Sequence, residues 1–348
     1  GVMSNTKRVN YIDIAKGIAI LCVIIGHTFA TYDKDDRLVT TFIYSFHMPL
    51  FFILSGFFAK DHIYDVKKAI IKKAKQLLIP YAAINILRYI TQIMLSGITK
   101  ASLTNFILSF LYASGSKNQS QLSIIKAPIV GMTWFLPALF FCQVIYICLS
   151  NFSKKYNISL GIIVVIMGLT AYGLNDIIWL PFSLQPAIGG LVFYHVGFLM
   201  KKHHIIEDSP KSVPMSILVI GAILWLITIF TKTVGMQGNT YPGMCSFIGA
   251  ICGTYFITQF SKILEKVPLI GKGLLWCGKN SIYIYALHAF DIRILAYLKN
   301  FVLSFYALPS TKGAVLFAFI RVLSVLTASI IFVFVKNGIQ SLSISKCH

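Results

Sequence analysis

The stretch Tyr11-Ile-Asp-Ile-Ala-Lys-Gly-Ile-Ala-Ile-Leu-Cys-Val-Ile-Ile-Gly-His-Thr-Phe-Ala30 decides the fold class. It carries three ionisable residues, Asp13, Lys16 and His27, in an otherwise apolar run. A single helix needs ~20 such residues to cross the hydrocarbon core of a bilayer, and this stretch supplies them. Comparable apolar segments follow at 41–59, 77–96, 129–150, 158–173, 186–200, 213–231, 244–260, 281–298 and 314–335. The whole chain of 348 residues is 57% hydrophobic and 12% charged, with a mean hydropathy of +0.76. Soluble domains carry about twice that charge. Disorder, a collagen-like repeat and an ordinary cytosolic enzyme are excluded. The expectation is an all-α polytopic membrane bundle of roughly ten transmembrane helices.

Charge sets the orientation. The net charge is +20, from 31 Lys+Arg against 11 Asp+Glu. These cations cluster in short connections: Lys60 to Lys75, Lys154-Lys155, Lys201-Lys202 and Lys262 to Lys272. That pattern is the positive-inside bias, with attraction to anionic membrane lipids, rather than a nucleic-acid surface. Part of the charge also suits an anionic cytoplasmic substrate. The first connection, Asp33 to Arg37, holds three acids against two bases and suits the outside. These assignments agree if the weak segment 102–113 does not cross but lies at the outer interface. Both termini are then cytoplasmic, and residues 1–348 form one integral membrane domain with its core at about 11–335. No leader is expected, because Asp13 and Lys16 interrupt the first apolar run. Seven scattered cysteines show neither a CxxC pair nor zinc spacing, so neither disulfide framework nor metal site is expected. The absence of internal repeats argues against a secondary transporter.

Ionisable residues inside a membrane are costly and mark candidate sites. Asp13 and Lys16, three apart on one helix face, predict a local ion pair. Lys16 precedes His27 by eleven residues, close to three turns and ~16 Å at ~1.5 Å per residue. A cation near the inner face and an imidazole in the outer half thus share one stripe. Such a stripe suits an elongated anionic donor entering from the cytoplasm. His47 falls at the depth of His27, while Arg88, His195, His288, Asp291, Arg293 and Arg321 occupy other spans. A lone histidine in a bundle is often a packing residue, as His195 and His288 are each read. Ser55-Gly56 also reads as a small-residue packing contact, and Arg88 and Arg321 as partners of Asp291 or snorkelling cations.

Lys16-x10-His27 resembles the Arg/Lys-x10-His motif of the acyltransferase-3 family of integral membrane acyltransferases. Phe46-His-Met-Pro-Leu-Phe-Phe-Ile-Leu-Ser-Gly-Phe57 resembles that family's second-helix signature, and Lys72-Lys-Ala-Lys-Gln-Leu-Leu-Ile-Pro-Tyr81 its basic segment before the third helix. Trp134 to Phe140 and Asn280 to His288 match further family patterns. The chain looks closest to the sugar O-acetylase-like branch. It departs from many relatives in carrying lysines where arginine pairs stand, and Gln76 where a second cation is common.

The resemblance implies transfer of an acyl group, usually acetyl, from cytoplasmic acyl-CoA to an extracytoplasmic or lipid-linked glycan hydroxyl. The setting it implies is a bacterial cytoplasmic membrane. His27 becomes the candidate base, since imidazole titrates near neutral pH. His47 is placed to orient it, donate to the oxyanion or bind acceptor. Lys16, Lys72, Lys73 and Lys75 become the candidate ligands of the CoA donor, with Ser55 beside them, and Lys16 is also a candidate catalytic residue that stabilises the stripe through Asp13. Trp134, His288 and Arg88 become the candidate acceptor-binding residues. Acetyl-CoA is a donor substrate and no permanently bound cofactor is expected. Direct transfer and an acyl-His27 or acyl-Ser55 relay both remain open, as does succinyl donation. A transporter, a lipid-linked-glycan flippase and a non-catalytic receptor are the rival classes.

Overall fold

The computed structural model describes residues 9–32, 37–60, 62–116, 128–207, 213–231, 233–290 and 311–345. Among these the structure is helical, with no β-structure beyond one Gly235–Thr240 bridge. In chain order the helices are α1 (Asn10–Tyr32), α2 (Arg37–Tyr44), α3 (His47–Gly56), α4 (Val66–Ser96), α5 (Lys100–Tyr112), α6 (Phe135–Tyr156) and α7 (Leu160–Gly173). They continue with α8 (Leu184–Lys202), α9 (Met215–Phe230), α10 (Met244–Glu265), α11 (Pro268–Lys279), α12 (Ser281–Phe290) and α13 (Thr311–Ser345).

Among the described residues, six helical stretches are long and apolar enough to cross a membrane: Asn10–Ala30, Leu38–Gly56, Val66–Met94, Gly131–Tyr156, Met244–Glu265 and Lys312–Ile339. Shorter apolar helices fall at Leu160–Gly173, Met215–Phe230 and Ser281–Phe290. The outward residues confirm the solvent. Ile217, Ile220 and Phe230 of α9 and Phe319, Leu323 and Phe334 of α13 are all more than half exposed. Water would penalise that surface, whereas hydrocarbon does not. The protein is an integral membrane protein.

The chain divides into two compact units, Gly1–Ile43 with Thr254–His348, and Tyr44–Gly253. In the first unit α1 packs against α11 and α13. In the second, α8 is the hub, contacting α3, α6 and α7, while α4 lies on α6. Aromatic rings fill the second core: Phe52 meets Phe135 edge-on at 5.8 Å and Tyr146 lies 4.7 Å from Tyr194.

Three elements differ from the sequence expectation, each for a local reason. The second apolar segment is not one helix but α2 and α3, separated at Ser45-Phe46. Pro49 has no N–H with which to bond the Ser45 carbonyl, so the ladder restarts with Leu50 N–H donating to Phe46 O at 2.8 Å. The basic stretch before the third segment is helix rather than loop. Asp65 caps it by accepting from Lys68 N–H at 2.9 Å, and the Lys, Ala and Ile that follow favour helix. The resulting 31 residues of α4 extend ~46 Å, well beyond a ~30 Å hydrocarbon core. Finally, α11 stands in what the sequence presents as a basic connection. Its 12 residues are too few to span, but Pro268 starts it at a position where the missing N–H costs nothing. Segment 102–113 is α5, opened by a reciprocal Thr99–Ser102 capping box and presenting no buried residue.

Candidate functional site

α1 runs unbroken through Lys16 and His27, so both belong to one rod. Asp13 is buried and its carboxylate lies 3.6 Å from the Lys16 ammonium, the ion pair that their spacing predicts. Gly17 and Gly278 make the crossing of α1 with α11. A Cβ on Gly17 would overlap the Leu274 carbonyl, and one on Gly278 would overlap the carbonyl of Asp13. Only two bare backbones approach this closely, a device common between membrane helices.

Farther along α1, the His27 ring lies against that of His288 on α12, with centroids 5.6 Å apart and planes inclined by 37°. His27 is half-buried and His288 fully buried. Thr28, the next residue, donates its hydroxyl to Ile24 O at 2.8 Å and accepts from Arg321 Nη1 at 3.0 Å. Arg321, on α13, is 4% exposed. An apolar cluster of Phe29, Ala314, Phe317 and Ala318 packs α1 onto α13 beside it. Two imidazoles from α1 and α12 thus meet, and a guanidinium from α13 bonds the residue that follows His27. The imidazoles supply proton acceptors and donors, and the guanidinium supplies fixed positive charge.

The other expected residues belong to the second unit. His47 opens α3 at the Pro49-induced break, is buried, and lies 5.0 Å from the Tyr44 ring. Ser55 is half-buried on α3. Its neighbour Gly56 abuts the backbone of Tyr194, and Gly197 abuts that of Ile53, so the packing reading of this small-residue step holds for Gly56. Arg88 donates to Val130 O at 3.0 Å, at the edge of the turn Gly131–Trp134. Asn85, one turn earlier on α4, accepts from the Thr133 hydroxyl at 3.2 Å. Trp134 closes that turn, 6% exposed, with its indole over Gly115 and edge-on to Phe135. Arg88 and Trp134 therefore share one turn, whereas their companion His288 sits with His27. Lys72 and Lys75 are exposed on the first half of α4, and Lys73 is half-buried. His195 lies 2.9 Å through Nδ1 from the Tyr146 hydroxyl, a half-buried histidine with a hydrogen-bond partner as its packing reading requires.

Asp291 and Arg293 lie outside the described residues. Arg321 is anchored on Thr28, a partner that sequence reasoning missed. Its only signal was a hydroxyl directly after His27 in an apolar run. Among the described residues no three His, Cys, Asp or Glu side chains converge as a metal set.

An all-helical membrane bundle with titratable side chains buried between its helices defines a polytopic membrane protein with a candidate intramembrane chemical site. Residues 9–334 match the sequence profile of the acyltransferase domain, and the chain belongs to that acyltransferase-3 family. A nodulation protein, NolL, of Sinorhizobium fredii (strain NBRC 101917 / NGR234) is 28% identical over 182 residues. That similarity covers 48% of this chain and 44% of the relative, so the chain spans less than half the length of that curated protein.

Proposed function

We propose that the protein is an O-acetyltransferase that moves an acetyl group from cytoplasmic acetyl-CoA to a hydroxyl of an extracytoplasmic or lipid-linked glycan. It does so with ten membrane-crossing helices and both termini in the cytoplasm of a bacterial cell. The observation that carries the reading is His27, a half-buried imidazole within the first membrane helix of a family member, paired with a second imidazole. His27 takes the proton from the acceptor hydroxyl as its oxygen attacks the thioester carbonyl. The tetrahedral intermediate collapses with cleavage of the C–S bond. The imidazolium returns its proton to the CoA thiolate, leaving an acetyl ester and free CoA. Lys16 attracts the donor from the inner half of α1. The exposed Lys72 and Lys75, with Lys73, attract its phosphates along the projecting half of α4, an attraction that salt weakens.

The test is transfer of radiolabelled acetyl from acetyl-CoA into glycan in inside-out vesicles, with wild type compared to His27→Ala at equal abundance. Label reaching glycan in wild type and not in the variant supports the reading. No acetyl-CoA dependence in wild type with acceptor present overturns it, and succinyl-CoA in a parallel arm separates the two donors.

A further inference from the structure

The contact between His27 and His288 says more than that two histidines are near. His288 has no exposed surface, and the ring it faces is that of the proposed base, 5.6 Å away between centroids. A side chain so enclosed has the His27 ring within contact distance. The two helices that carry the pair are braced by the same third helix. α13 holds α1 through Arg321 and Thr28, one residue from His27. It holds α12 through Lys336, whose ammonium donates to the Tyr283 hydroxyl and lies 4.5 Å from that ring's centroid, and through Phe332, 5.4 Å from the same ring. Gly17 and Gly278 fix α1 a second time, against α11. An imidazole on its own has a broad, roughly two-fold torsion about its ring bond. Which nitrogen it offers as base depends on what surrounds the other one.

We infer that His288 is a positioning residue for the acyl transfer: its imidazole holds the His27 ring in the one orientation that offers a basic nitrogen to the acceptor hydroxyl. This rests on the reading of His27 as base. A purely structural His288 would matter by its shape, and an acceptor-binding His288 by its effect on acceptor affinity. A positioning His288 matters through kcat. Misplacing a reactive group by ~1 Å is enough to cost ~100-fold in rate.

The experiment is steady-state acetyl transfer by full-length protein in vesicles, with His288→Phe, His288→Gln and His288→Asn beside wild type and His27→Ala. The expected result is a kcat for His288→Phe lowered ~10–100-fold with both KM values unchanged. His288→Gln, which keeps a polar group able to face His27, recovers part of the loss. Wild-type kcat in His288→Phe overturns the inference in favour of packing. A raised acceptor KM at unchanged kcat overturns it in favour of acceptor binding. Should the phenylalanine variant fail to accumulate, Gln and Asn decide: equal KM with reduced and unequal kcat supports positioning, and wild-type kcat in both overturns it. Activity in wild type and its loss in His27→Ala show that the base assignment stands whichever way His288 falls. Absence of acetyl transfer in wild type removes both.

Discussion

Each unit is organised around a crossing of helices at a reciprocal pair of glycines, Gly17 with Gly278 in the first and Gly56 with Gly197 in the second. What surrounds the two crossings differs. Beside the first lie the Asp13–Lys16 ion pair and, farther along α1, the contacts among His27, His288, Thr28 and Arg321. Around the second are rings, including Phe52, Phe57, Phe193 and Tyr194, none more than 3% exposed. Polar side chains in the second unit bond chiefly to nearby backbone and to partners that close the structure. Arg88 bonds Val130, Asn85 bonds Thr133 and Tyr81 donates to Phe110 O at 2.6 Å. The same backbone device therefore sits in two settings. In one unit the helix it fixes also carries titratable side chains that meet other helices, and in the other it is enclosed by rings. Polar groups of the second unit thus tie its segments together, whereas those named in the first unit are the ones the proposed reaction would use.

The largest effect should come from exchanging one histidine in each unit. His27→Ala is expected to lower kcat by ~100–10,000-fold, the usual worth of a general base. His195→Phe loses the Tyr146 contact and is expected to cost about 1 kcal/mol of stability with kcat per folded molecule unchanged. Vesicle kinetics normalised to folded protein checks both, and a kcat defect in His195→Phe would break the comparison.

The glycine crossings come next. Gly278→Ala and Gly56→Ala each force a methyl group onto a neighbouring carbonyl or backbone, and overpacking of this kind costs ~1–3 kcal/mol. Thermal unfolding in detergent should show similar losses for the two. Cys277 reports on the first crossing separately, because burial pushes its thiol up to about 11 in the native protein. Gly278→Ala should raise the rate of Cys277 alkylation and Gly56→Ala should not. Equal rates in both would show that the units do not open independently.

Thr28→Val sharpens the comparison from the other side. It removes the acceptor of a buried arginine, and hydrogen bonds to charged groups are worth ~1.5–3 kcal/mol. A double-mutant cycle with Arg321→Met isolates the coupling. A coupling near zero would mean that Arg321 is held by its other contacts.

Much of this organisation is legible in the sequence. The apolar runs give the membrane class, and the i, i+3 spacing of Asp13 and Lys16 gives their ion pair. The Lys16 to His27 interval gives the candidate stripe because α1 is unbroken. What escapes has two sources. The break before His47 and the helix before residue 77 depend on one proline and one cap, signals weaker than hydropathy over a long window. The pairing of His27 with His288 and of Thr28 with Arg321 joins residues 261 and 293 positions apart, so no local periodicity announces it. Gly278 looks like an ordinary glycine in a basic connection until α1 is laid across it.

The smallest effect lies at the end of α8, in the turn that follows Lys202. Glu207 bonds Lys201 and, at 2.5 Å, His204 Nδ1. Partial burial pushes its carboxyl up, but the hydrogen bonds and charges of Lys201 and then His204 together outweigh this and hold it below the usual range. A depressed carboxyl stabilises the native state above its unfolded pKa, near ~4.3, and that contribution disappears as pH falls through the lower native value. Lys201 is 44% exposed, so solvent screens the pair and the gain should stay within ~1 kcal/mol. Unfolding of wild type and Glu207→Gln should therefore differ slightly at pH 6 and converge toward pH 3. Because the clip belongs to the second unit, kcat per folded molecule should follow neither the substitution nor its pH dependence. A matching kcat change would show that the end of α8 reports to the chemistry, and the division of labour between the units would have to be redrawn there.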